Sequence, residues 1–158
     1  MNLDTLTALA QSLTREQFVA RTPGLFLAVL SSTEGVMMGF RTEIVRVASI
    51  PRPTAPLAVH PLVKAEGNPY PDRISVGRAR NCDIVLRAPS VSKLHAHFQV
   101  RRAGDYDLVD LGSHNGSRVN GARIAPQVPE PVASGDVVQF GDVAVQLVDA
   151  SGLYPLLR

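Results

Sequence analysis

The sequence has no tryptophan, only 5% aromatic residues and no run of five basic residues, and its net charge is +2. Nucleic-acid binders concentrate basic residues beside aromatic stacking platforms, so these absences argue against a nucleic-acid partner. One cysteine, Cys82, leaves no internal disulfide and no thiolate metal cage; it reads as a small buried hydrophobe. No apolar stretch is long enough to span a bilayer, and Gly24 to Leu30 is too short. Met1-Asn2-Leu3-Asp4 lacks the basic region of a secretory signal, so a cytoplasmic location and no membrane partner are expected. There is no Gly-x-Ser-x-Gly elbow and no phosphate-cradling P-loop. His95-x-His97 would align two rings along a strand, but no third ligand stands nearby. The expectation is therefore a non-enzyme with no catalytic residue, no metal and no cofactor. Threonine is also missing from residue 55 onward; Thr54, in a proline-rich stretch beside Arg52, is the last.

What is present divides in two. Leu6, Leu9, Ala10 and Leu13 follow the spacing of an amphipathic helix face. Thr14-Arg15-Glu16-Gln17 has the form of a capping box, with Leu13 and Phe18 at the flanking staple positions. Two short helices broken near Thr14 are predicted, the second closed at Thr22-Pro23 because a residue before proline avoids helical backbone. Leu25–Leu30 and Val36–Ile50 are β-rich, and Pro51, Pro53, Pro56 and Pro61 mark a stiff boundary. Beyond it, strand candidates recur at Leu57–Ala65, Arg73–Gly77, Asp83–Leu86, His95–Arg101, Tyr106–Leu111, Arg118–Ile124, Asp136–Phe140 and Ala144–Asp149. Gly, Asn, Pro or Asp punctuates nearly every gap, which predicts a mainly β, antiparallel sandwich with a short α-helical N-terminal extension. Ala103-Gly104-Asp105 reads as a hairpin turn. The expected division is an extension over 1–56, a sandwich over 57–150 and a tail over 151–158.

The most informative stretch is Asp110-Leu111-Gly112-Ser113-His114-Asn115-Gly116-Ser117-Arg118-Val119-Asn120-Gly121. Its two Asn-Gly pairs are strong signals for tight turns with positive φ, and they hold a short segment rigid with side chains facing outward. Upstream stand Gly77-Arg78 and Ser92-x-x-His95. In this order and spacing the motifs resemble the forkhead-associated (FHA) domain over roughly residues 57–150. Asn81 to Leu86 resembles the family's third-strand region, and Ser134-Gly135-Asp136 and Gly141 resemble its closing strands.

The resemblance implies a β-sandwich whose loops at one end bind a phosphothreonine peptide. Arg78 would supply a planar fork of donors to the phosphate. Ser92 would give a hydroxyl hydrogen bond to it, and Lys93 a movable point charge. Asn115, both donor and acceptor, would grip the peptide backbone. His114 stands where some family members touch phosphate and others do not. His95 is implied to pin neighbouring loops, Gly77 and Gly116 to allow close backbone approach, and Asn120 and Gly121 to provide hairpin geometry alone. Ser117 departs from the family's usual threonine, which should alter packing slightly. Arg80, Arg87, Ser90 and Arg118 are unranked candidates for reading neighbouring peptide residues.

The implied function is a phosphothreonine-binding signalling or adaptor module, its partner a Ser/Thr kinase or a kinase substrate. The rival reading keeps the fold as a phosphorylation-independent assembly module; intact Arg78, Ser92 and Asn115 argue against it. Residues 1–56 are too few for a comfortable independent core, so they are expected to pack on the sandwich, extend a sheet or provide a self-association contact.

Overall fold

Two runs of this chain are apolar at nearly every position, Leu25 to Leu30 and Val143 to Val148, and both become strands buried on two faces. A computed structural model describes residues 2–31, 58–65, 72–102 and 105–158. The Val36–Ile50 strand candidates, Pro51, Pro53, Pro56, Thr54 and the Ala103-Gly104 turn residues lie outside them.

Eleven strands are described. They are β1 (Leu25–Ser31), β2 (Ala58–Pro61), β3 (Arg73–Gly77), β4 (Ile84–Val85), β5 (Ala96–Arg102), β6 (Asp105–Asp110), β7 (Ser117–Val119), β8 (Ala122–Arg123), β9 (Glu130–Val132), β10 (Val137–Phe140) and β11 (Val143–Asp149). One sheet runs β2-β1-β11-β10-β7-β8, the other β4-β3-β5-β6-β9. Pairing is antiparallel except between β3 and β4, which run parallel, so the second sheet is mixed. The fold is mainly β, as the strand spacing predicts.

Alternation sorts the side chains. Leu27 and Val29 of β1 and Val143, Val145 and Leu147 of β11 enter the core between the sheets, where Phe98, Leu108, Val138 and Phe140 meet them. The rings of Phe98 and Phe140 meet edge to face, centroids 6.3 Å apart. Phe26, Ala28 and Val148 point the other way, into a second apolar cluster beneath the helices.

Those helices form where the sequence places them. In α1 (Leu3–Ser12), Leu6 and Ala10 are buried and Asn2 caps the first turn. In α2 (Arg15–Arg21), the Thr14 hydroxyl accepts from Gln17 N–H and the Gln17 side chain accepts from Thr14 N–H, the reciprocal box the sequence predicts. The sequence carries no helix signal at the C-terminal end, yet α3 (Ala150–Leu153) and a 3₁₀ turn (Tyr154–Leu157) form there. Asp149 caps α3 by accepting from Gly152 N–H. Tyr154 packs on Phe18 and donates its hydroxyl to Leu13 O, fastening the chain's two ends together. Among the described residues no helix is long and apolar enough to cross a membrane.

Candidate functional site

Three loops meet at one end of the sandwich. The β3–β4 loop carries Arg78, the β4–β5 loop carries Ser92, Lys93 and His95, and the β6–β7 loop carries His114, Asn115 and Gly116. Their association is specified by hydrogen bonds between them. Arg78 N–H donates to Ser92 O at 2.9 Å, and Ala79 N–H to Lys93 O at 3.1 Å. The backbones run so close that a Cβ on Gly77 would overlap the Lys93 carbonyl. Only glycine fits there.

Arg78 is exposed, and its Nε donates to Val91 O at 2.9 Å. That bond holds the guanidinium by one nitrogen and leaves its two terminal nitrogens free of any partner among the described residues. The Ser92 hydroxyl accepts from His114 N–H at 3.1 Å, so its own proton is directed elsewhere. Lys93 and His114 are exposed beside it. Lys93 and Leu94 also border a groove of about 630 Å³ with Ser75 and His97, which Arg78, Ser92 and Asn115 do not line. Asn115 donates from its amide nitrogen to Ser90 O at 2.8 Å, which turns its amide oxygen outward. The five residues expected to contact a phosphopeptide therefore stand on three loops joined by hydrogen bonds, with Lys93 bordering a groove that the other four do not line.

His95 lies wholly inside. Its Nδ1 accepts from Ser92 N–H at 3.1 Å and its Nε2 stands 2.9 Å from Gly116 O. The first bond requires a bare Nδ1, so the proton is on Nε2 and the ring is neutral. With both nitrogens engaged, this ring has no lone pair for a metal. The ring also packs edge-on to Phe140, centroids 5.7 Å apart. Burial pushes its pKa below the ordinary value, against smaller opposing effects from Gly116 and Asp110.

Asp110 has no place among the sequence-predicted site residues, yet it organises the recognition loop. It is 1% exposed. Its Oδ2 accepts from Gly112 N–H and Ser113 N–H, and its Oδ1 from the hydroxyls of Ser113 and Ser117, both at 2.6 Å. Burial pushes its pKa up, but the Ser113 and Ser117 hydrogen bonds outweigh that and hold the carboxyl below its usual range. The signal in the sequence is an aspartate just before a Gly-Ser turn, a common setting for a side chain that closes its own loop. Ser117 keeps the hydroxyl that Asp110 requires, so the departure from threonine costs only a methyl.

Asn120 needs a correction. Asn120 and Gly121 have φ of 50° and 87°, as a tight hairpin between β7 and β8 demands. But Asn120 is not hairpin geometry alone. Its Oδ1 accepts from Val137 N–H at 2.9 Å and its Nδ2 donates to Asp136 at 3.1 Å, tying the turn to β10.

His95 and Asp110, both buried, give stability the same dependence on pH. His95 has a lowered folded pKa, so the unfolded chain takes up a proton first as pH falls below about 6.5, and stability declines. Asp110, also lowered, contributes stability that is present above its ordinary value and lost as pH falls through the folded one. The expected Tm falls below about pH 6.5 and falls again below about pH 4. Calorimetric scans across that range check it; a Tm that rises on mild acidification contradicts it.

The sequence model of the FHA domain family matches residues 74–141, the span from β3 to the turn after β10. An oxoglutarate dehydrogenase inhibitor of Corynebacterium diphtheriae is 37% identical over 75 residues, covering 48% of this chain and 50% of that protein. The glycogen accumulation regulator GarA of Mycolicibacterium smegmatis is 40% identical over 67 residues, covering 42% of this chain and 40% of that protein. The chain thus spans half or less of the length of these relatives. Among solved structures, the FHA domain of CT664 from Chlamydia trachomatis superposes with a TM-score of 0.53 at 24% identity, over 79% of this chain and 96% of that one. Residues 74–141 thus match the FHA domain family, and the sandwich shares the fold of a solved FHA domain.

Proposed function

We propose that this chain is a phosphothreonine-peptide-binding signalling or adaptor module, with no catalytic activity of its own, that recognises proteins phosphorylated by Ser/Thr kinases. One observation carries the reading: the terminal nitrogens of Arg78, free of partners among the described residues, and the Ser92 hydroxyl stand on loops hydrogen-bonded to each other. A phosphothreonine brings nearly two negative charges and three acceptor oxygens, which these donors match. Lys93 adds a charge at the rim, and the outward oxygen of Asn115 accepts a backbone N–H from the bound peptide. His114 stands beside them, its N–H donated to the Ser92 hydroxyl and its side chain exposed toward the ligand. His95, Gly77, Gly116, Asn120 and Gly121 hold the loops in place.

The partner is a kinase or one of its substrates; light scattering of the purified chain reads self-association through residues 1–56. An array of phosphothreonine peptides and their unphosphorylated counterparts tests the reading. Binding is expected only where the threonine is phosphorylated. Equal binding of both forms would favour the phosphorylation-independent assembly module.

A further inference from the structure

Arg118 and Arg123 occupy directly opposite positions of the β7–β8 hairpin, so two positive side chains share one face of adjacent strands. Like charges directly opposite are destabilising in an antiparallel pair. Nothing among the described residues relieves them. The described ion pairs of lysine and arginine join Lys64 to Asp83, Arg101 to Asp107 and Arg102 to Asp105, and none involves this hairpin. The carboxylate of Asp136, near the hairpin turn, is taken by Asn120 Nδ2 and Ala133 N–H. Arg118 reaches only Gly121 O, at 3.4 Å.

Arg123 is exposed, and its guanidinium lies against the recognition loop. A Cβ built on Gly116 would stand 2.8 Å from its Nε and 2.9 Å from its Cζ and NH2. The absent Gly116 side chain is what lets the arginine plane settle there, next to Asn115. A peptide gripped at Asn115 therefore passes beside the Arg123 guanidinium, with Arg118 opposite it in the hairpin and reaching toward the turn at Gly121.

We infer that Arg118 and Arg123 form a second anion subsite that selects peptides bearing another negatively charged side chain near the phosphothreonine. This rests on the phosphothreonine reading above and deepens it. Carboxylate and phosphate both suit a guanidinium fork, so the subsite is defined by negative charge, and the ligand supplies it as Asp or Glu or as a second phosphorylated residue.

The test uses fluorescence anisotropy on the full chain. The probes are alanine-flanked phosphothreonine peptides carrying Asp, phosphoserine or Lys at each flanking position in turn. An exposed, hydrated charge pair predicts that Asp at one position tightens binding by about two- to fivefold. Phosphoserine there tightens it further if the natural anion is a phosphate, and no more than Asp if it is a carboxylate. The gain shrinks as salt is raised, because exposed charges are screened. R118Q and R123Q each reduce the ratio of acidic to neutral affinity, and R123E turns the preference toward the Lys peptide. If wild-type protein binds the alanine-flanked phosphopeptide but shows no acidic preference at any position, or if the variants keep that preference, the inference fails and the phosphothreonine reading stands. If no phosphothreonine peptide binds at all, the reading itself fails and takes the inference with it.

Discussion

Arg78→Ala lowers affinity for a phosphothreonine peptide by about 2–5 kcal/mol, roughly 30-fold or more, the usual loss when one partner of a desolvated charge pair is removed. The loss comes from the ligand side. Arg78 N–H still donates to Ser92 O, because that bond belongs to the backbone, so the loops stay joined. Within the protein, the substitution removes the hydrogen bond from Nε to Val91 O. Stability should therefore change by about 1 kcal/mol, the net worth of an ordinary hydrogen bond. Arg78→Lys restores the charge without the fork and without the Nε anchor, so its affinity falls between wild type and alanine. Fluorescence anisotropy with matched peptides, beside thermal melts of each variant, separates the two effects. Unchanged affinity in Arg78→Ala would remove Arg78 from the site.

Asp110→Ala acts through the fold instead. It strips the acceptor from four donors at once: the N–H groups of Gly112 and Ser113 and the hydroxyls of Ser113 and Ser117. Ser117 has no access to water to replace it. Buried donors left unpaired cost about 1–3 kcal/mol each, and partial relaxation of the loop brings the expected total to about 3–5 kcal/mol. In a chain of this size each kcal/mol moves Tm by about 2–4 °C. Asp110→Asn keeps one oxygen but turns an amide donor toward other donors, so it recovers part of the loss. Urea denaturation measures both. A change below about 1 kcal/mol in Asp110→Ala would mean that the loop holds its shape without the carboxylate.

The elements legible in the sequence are those whose signals are local. The capping box at Thr14 and Gln17, strand β3 at its predicted bounds and the positive-φ turn at Asn120-Gly121 each depend on a few adjacent residues. What escapes a sequence reading depends on distant neighbours. β9 has no strand signature, because Pro131 cannot donate to a ladder; it pairs only with β6, at the sheet's edge, where a proline is tolerated. Nothing in Leu25–Leu30 says that this strand sits between β2 and β11, inside the sheet rather than ahead of it. The C-terminal helical turns depend on Phe18 and Leu13, far away along the chain.

The site divides along the same line. Arg78, Ser92, Lys93, His114 and Asn115 are legible as motif residues, because the spacing of loop residues survives in sequence. The supports are not. Asp110, the Ser90 carbonyl that holds Asn115 and the Val91 carbonyl that aims Arg78 act through contacts across 7 to 25 residues. Arg123 reads as an ordinary exposed strand residue until the hairpin places it opposite Arg118 and over Gly116.

Isothermal titration of the wild-type chain with one threonine-phosphorylated peptide drawn from the array, and then with the same peptide unphosphorylated, tests the central claim most directly. Saturable heat is predicted from the phosphorylated peptide alone, and its loss in Arg78→Ala. Equal affinity for the two peptides would contradict the account, because the donors of Arg78 and Ser92 would then have no phosphate to meet.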